Sequence, residues 1–113
     1  MTTSAEGTTL SSVQLAAIRE ELDEQLLWRN RQLSDLESTV ADGTVSETAK
    51  AAILAEIAAT ERNIAAVKRA IDDIAAGVYG RCDDCGIAIP YERLKIRPLA
   101  RYCVNCQRRQ EKR

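Results

Sequence analysis

Gly80-Arg81-Cys82-Asp83-Asp84-Cys85-Gly86 and, separated from Cys85 by seventeen residues, Cys103-Val104-Asn105-Cys106 hold every cysteine of this chain, which has no histidine. Two Cys-x-x-Cys pairs at this separation read as a four-thiolate zinc site. Each pair forms a tight knuckle whose sulfurs share one metal, and the intervening stretch is long enough to bring the second knuckle back to complete a tetrahedron. With all four positions filled by Cys82, Cys85, Cys103 and Cys106, no place is left for a metal-bound water. One structural Zn2+ is therefore expected, without catalysis at the metal.

Disulfides and a thioredoxin-like redox pair are the competing assignments. A secreted disulfide protein carries an export signal, whereas residues 1–9 are polar, with neither a basic segment nor an apolar run. A redox pair needs a preceding strand and a following helix; here Gly86 follows Cys85 and a second pair comes later. Thiols of this kind suit a reducing compartment, so a cytoplasmic protein is expected, and no apolar run reaches the length of a membrane span.

Outward from the cysteines the composition changes. Residues 10–76 are aliphatic and alanine-rich, while the last third holds both prolines and all three tyrosines; with one Trp and no Phe, a large globular core is excluded. Ser11 and Gln14 have the spacing of a capping box, with Leu10 and Leu15 placed for a hydrophobic staple, so a helix starts near Ser12. Leu15, Ile18, Leu22, Leu26, Leu33, Leu36 and Val40 then mark one side of it. A second helix carries Ile53, Ile57, Thr60, Ile64, Val67, Ile71, Ile74 and Val78 at alternating steps of four and three, and Gly77 is its natural stop, with Val78 packing just beyond. Between them Asp42-Gly43 favours a turn, and Thr44 with Glu47, or Ser46 alone, supplies the next cap.

The short connection makes the helices antiparallel neighbours, pairing Leu36 with Lys50, Leu33 with Ile53, Leu22 with Ile64 and Leu15 with Ile71, so that one seam is buried along most of the length. Two helices of about thirty residues give a hairpin roughly 45 Å long. The expected fold is mostly α: a flexible N-terminus (1–10), an antiparallel coiled-coil hairpin (11–77) with its tip near 41–46, and a four-cysteine zinc-finger module with a short C-terminal helix (78–113). Trp28 falls off the seam; it either covers part of the hairpin or marks a contact surface.

Residues 1–77 carry seven Lys/Arg against thirteen Asp/Glu, net −6, and residues 78–113 nine against four, net +5. Zinc with four thiolates adds about −2 to that basic end. A solvated surface offsetting the thiolate charge accounts for it; contact with an acidic partner or phosphate backbone is the alternative.

A long helical hairpin leading into Gly80-Arg81-Cys82-Asp83-Asp84-Cys85-Gly86, then Arg93-Leu94, Arg97-Pro98 and Cys103-Val104-Asn105-Cys106, resembles the DksA/TraR zinc-finger family. The resemblance implies a cytoplasmic bacterial transcription regulator that binds RNA polymerase, docking the globular end at the rim of the secondary channel and inserting the tip toward the active centre without reading a DNA sequence. Family tips that act on transcription carry Asp-x-x-Asp-x-Ala, of which Asp42 matches the second aspartate when positions are counted back from Cys82. Arg93 falls at a basic position associated with response to the alarmone ppGpp, while Ala59 and Ala66 stand where responsive relatives carry basic residues, so ppGpp is not assigned as a ligand. Asp42, Arg93 and Arg97 are the residues expected to meet the partner, and the protein is expected to be a monomer.

Two further functions compete. A zinc-ribbon nucleic-acid binder would set Arg93, Lys95, Arg97, Arg101, Arg108, Arg109, Lys112 and Arg113 against phosphates, but aromatic stacking residues are few and the acidic hairpin repels a polyanion. A coiled-coil adaptor would self-associate through Leu27, Val45 and Leu54. An enzyme is not expected: there is no Gly-rich phosphate loop or cysteine outside the zinc set, and Asp72 and Asp73, adjacent on a helix, point in different directions.

Overall fold

The computed structural model describes residues 10–112; the expectation of a flexible start falls, but for Leu10, outside them. Ser11 opens helix α1 (Ser12–Ala41) through the capping box expected from sequence: Gln14 N donates to Ser11 Oγ at 3.1 Å and Ser11 N donates to Gln14 Oε1 at 2.9 Å. Asp42 ends it, and the tip turns at Gly43, whose φ of 84° lies in the region favouring glycine, while Asp42 Oδ1 accepts from Thr44 N at 3.3 Å. Ser46 caps α2 (Glu47–Ala76) by accepting from Ala49 N at 3.2 Å, so it fills the role for which Thr44 was the rival.

The two helices pack antiparallel, and the molecule measures 62 × 33 × 20 Å. Their seam is buried unevenly. Ile18 and Leu22 of α1 and Thr60, Ile64, Val67 and Ala70 of α2 are buried; all lie in the half nearer the finger except Thr60, which stands at the middle of α2. Towards the tip Leu33, Leu36, Val40, Ile53 and Ile57 are only half-buried, which corrects the expectation of one seam buried along most of the length. Two helices alone cover each other on one side; a third surface is needed to close the seam, and only the base has one.

That surface is the finger. Gly77 takes φ 78° and its N–H donates to Asp73 O and Ile74 O, ending α2 as expected. The turn drives Tyr79, not Val78, inward: Val78 stays 46% exposed and Tyr79 is buried. From there an isolated antiparallel bridge, Arg81 with Ala88, closes the first knuckle. Helix α3 (Tyr91–Ile96), begun after Pro90, was not anticipated; it lays Leu94, fully buried, on the hairpin base. Helix α4 (Val104–Glu111) is the expected short C-terminal helix. One core joins the parts: Leu10, Ile18, Leu22, Val67 and Ala70 from the hairpin meet Tyr79, Ile89, Leu94 and the buried cysteines. Among the described residues no helix is long and apolar enough to cross a membrane.

Candidate metal centre

Both knuckles are held by their own backbone. Cys85 N and Cys106 N each donate to the sulfur three residues earlier, Cys82 Sγ and Cys103 Sγ, at 3.5 Å, and Gly86 N and Gln107 N donate to the carbonyls of Cys82 and Cys103 at 3.0 and 2.8 Å. Gly86 has φ 80°, so a glycine suits the turn after the second cysteine. Cys103 doubles as N-cap of α4, which aims that helix's first turn at the site. Cys82 N also bonds to Ile87 O at 2.8 Å, and Asp83 N to Arg101 O at 2.7 Å, tying the first knuckle to the segment entering the second.

The four sulfurs lie within 4.8 Å of one another, and Cys85 Sγ is 3.7 Å from Cys103 Sγ. A tetrahedral zinc at a Zn–S length of about 2.3 Å separates its sulfurs by about 3.8 Å, so the cluster is sized for one ion. Cys82, Cys103 and Cys106 are buried and Cys85 is exposed. Burial alone would push the Cys82 thiol up, but hydrogen bonds from the Cys85, Cys103 and Asp84 backbone and from the Cys106 side chain bring it down to about 6. Burial, then sharing with Cys103, Cys82 and Cys85, pushes the Cys106 thiol well up. A tetrathiol divided in this way ionises fully only when a cation supplies the missing charge, and the donor set therefore fits zinc.

Around the thiols stands a second ring that sequence spacing did not reveal. Asp83 Oδ2 accepts from Arg101 Nε at 2.6 Å and Arg69 Nη2 at 3.1 Å, and Arg109 Nη2 lies 3.0 Å from Cys106 Sγ and 3.5 Å from Asp84 Oδ2. Arg101 and Arg109, candidates for phosphate contact in the nucleic-acid alternative, are thus engaged by the finger's own acids. Tyr79 donates its hydroxyl to Pro98 O at 2.6 Å, and Arg93 Nε donates to Tyr102 O at 3.3 Å.

The other site residues fall in two places. Arg93 and Arg97 line a groove of about 430 Å³ between α1 and the finger, together with Arg29, Arg101, Gln25 and Gln107. Asp42 lies exposed at the far tip. Trp28 is half exposed, its ring 4.8 Å from Arg29 Cζ in cation–π contact.

A hairpin packed on a four-cysteine finger defines the class: a C4 zinc-finger protein with a long helical hairpin. Residues 77–112 match the model of the prokaryotic dksA/traR C4-type zinc finger, and the four cysteines of this segment are positioned to hold one zinc ion. The fold is that of transcription factor DksA2 from Pseudomonas aeruginosa (TM-score 0.83, 23% identity, covering 90% of this chain and 86% of that one). The RNA polymerase binding protein and transcriptional regulator Dks from Chlamydia trachomatis L2 is similar over 91% of this chain and 93% of its own, with 23% identity and a TM-score of 0.52. No curated protein sequence matches. The chain has the fold and finger of DksA-like transcription factors.

Proposed function

We propose that this protein is a non-enzymatic, cytoplasmic regulator of bacterial RNA polymerase that enters the secondary channel. The observation that carries the reading is the polarity of the molecule. At one end the zinc finger and hairpin base share a core beside a groove lined by Arg29, Arg93 and Arg97, with no carboxylate among its lining residues, and by Arg101, which is paired with Asp83. At the other, Asp35, Glu37, Asp42 and Glu47 are exposed on a tip with no buried residue. Thirty-residue helices separate the two by roughly 45 Å. Residues 78–113 form the anchor in this reading and residues 11–77 the probe, its acidic tip directed at the basic and magnesium-bearing surfaces of a catalytic centre. Arg93 and Arg97 meet the polymerase rim, and Asp42 acts within the channel. The protein works as a monomer.

The test is binding of the zinc-loaded protein to purified bacterial RNA polymerase, with competition by a protein that occupies the secondary channel. Saturable binding that the competitor displaces is the expected result. Binding to bare DNA alone, weakening steeply with salt, would replace this reading with the nucleic-acid one; a mass that doubles with concentration without polymerase binding would favour the adaptor.

A further inference from the structure

The three buried zinc sulfurs are not protected alike. Cys82 Sγ and Cys103 Sγ each accept a backbone N–H from within their own knuckle. The donor to Cys106 Sγ is instead a side chain, Arg109 Nη2 at 3.0 Å, one turn further along α4. The same nitrogen lies 3.5 Å from Asp84 Oδ2, in the loop between Cys82 and Cys85. Arg109 thereby spans the metal site from the second knuckle to the first. It does so from outside: its side chain is 61% exposed, Asp84's is 41% exposed, and Cys106 beneath is 1% exposed.

We infer that Arg109, positioned by Asp84, is a latch on the zinc centre that governs how fast the metal leaves and whether Cys106 can be attacked. The inference rests on the C4 zinc site and is independent of the polymerase reading. A zinc tetrathiolate carries two net negative charges, and a guanidinium donating to one sulfur draws electron density from it, which lowers its nucleophilicity and its tendency to take a proton and dissociate. Because the acid partner sits on the other knuckle, the first step of metal loss, parting of the knuckles, must also break the Arg109–Asp84 contact. Cys85, the exposed cysteine, has no such cover and is the sulfur an electrophile reaches first.

The test uses the zinc-loaded full chain and the variants Arg109→Met, Arg109→Lys and Asp84→Asn. Zinc transfer to an excess of chromogenic chelator is expected to speed up about 10-fold in Arg109→Met, the lower end of the effect of losing an outer partner of a metal ligand. Arg109→Lys, which keeps a cation, should recover most of the slow release, and Asp84→Asn should fall between. Limiting iodoacetamide followed by peptide mapping should label Cys85 first in the parent and add Cys106 in Arg109→Met. In the cobalt-substituted protein the sulfur-to-metal charge-transfer band should move to lower energy in Arg109→Met, a change that mere loss of packing does not produce. Unchanged release with an unchanged cobalt spectrum would overturn the latch, as would a lysine variant that behaves like the methionine one.

Discussion

Arg69 on α2 reaches across to Asp83, its Nη2 3.1 Å from the carboxylate that sits between the first two zinc cysteines. The same oxygen takes Arg101 Nε at 2.6 Å, and Arg69 Nε lies 3.8 Å from Asp73 on its own helix. One carboxylate therefore joins the hairpin, the first knuckle and the segment leading to the second. Apolar packing of Val67 and Ala70 brings the finger to the hairpin, and Asp83 fixes its orientation. Asp83→Asn removes the charge but keeps the side-chain oxygen. Because the arginines are about half exposed, the expected loss is about 1 kcal/mol, with full zinc stoichiometry; denaturant titration beside metal analysis checks both.

Leu94 is the residue through which the unanticipated helix α3 acts. It is fully buried beside Ile89 in the common core, so Leu94→Ala leaves a cavity where finger and hairpin meet and should cost about 2–5 kcal/mol. The loss should appear in hydrogen exchange at the base of the hairpin as well as in the finger. Protection lost in the finger alone would show that the two do not share one cooperative core.

Cys103→Ser should abolish stable zinc binding, since three thiolates remain and the hydroxyl is a poor replacement. Structural zinc in small modules contributes about 10–16 kcal/mol of apparent binding free energy, so the finger should unfold. Most far-UV helix signal should survive, because α1 and α2 hold 30 residues each, but the hairpin base should loosen with its lost third surface. Metal at full stoichiometry would contradict the ligand assignment.

How far the sequence spoke depended on how local each determinant is. The capping box at Ser11, the stop at Gly77 and the two knuckles all depend on residues within five positions of one another, and spacing reveals such features. Helix α3 did not announce itself: six residues carry less than two turns of periodicity and have no side-chain cap, although Pro90 ahead of Tyr91-Glu92-Arg93-Leu94 is a weak start signal. The Asp83 clamp joins residues 14 and 18 positions apart, and Arg109 meets Asp84 across 25; no periodicity encodes these pairings. The uneven seam escaped for another reason. The repeat in α2 is equally good along its length, but burial depends on what lies opposite, and only the finger supplies that.

Tyr79 gives the molecule an alkaline limit. Burial pushes its phenol above the ordinary value of 10.0, and its hydroxyl proton is committed to Pro98 O at 2.6 Å. The folded state therefore holds this proton more tightly than the unfolded chain does. The resulting stability is complete below pH 10 and declines as the pH rises beyond it, because unfolding then releases the proton. Tyr79→Phe loses the hydrogen bond, with an expected cost of about 1–3 kcal/mol at neutral pH for leaving the Pro98 carbonyl unpaired. Above pH 10 the gap between the two proteins should narrow. A gap that stays constant to the alkaline end would mean that the phenol titrates alike in both states.

Asp42 separates the tip's shape from its charge. The helix end is held by its backbone N–H, which donates to Ser38 O and Thr39 O, and the turn by Oδ1, which accepts from Thr44 N at 3.3 Å. Asparagine keeps both the N–H and an oxygen at that position, so Asp42→Asn should leave the turn intact and shift stability by no more than about 0.5 kcal/mol. If the finger anchors the protein on polymerase and the tip acts at the catalytic centre, the variant should bind polymerase with parental affinity yet alter promoter-complex lifetime less than the parent does. Equal effects on transcription would remove Asp42 from the mechanism, and a loss of affinity matching the loss of effect would move the anchor to the tip.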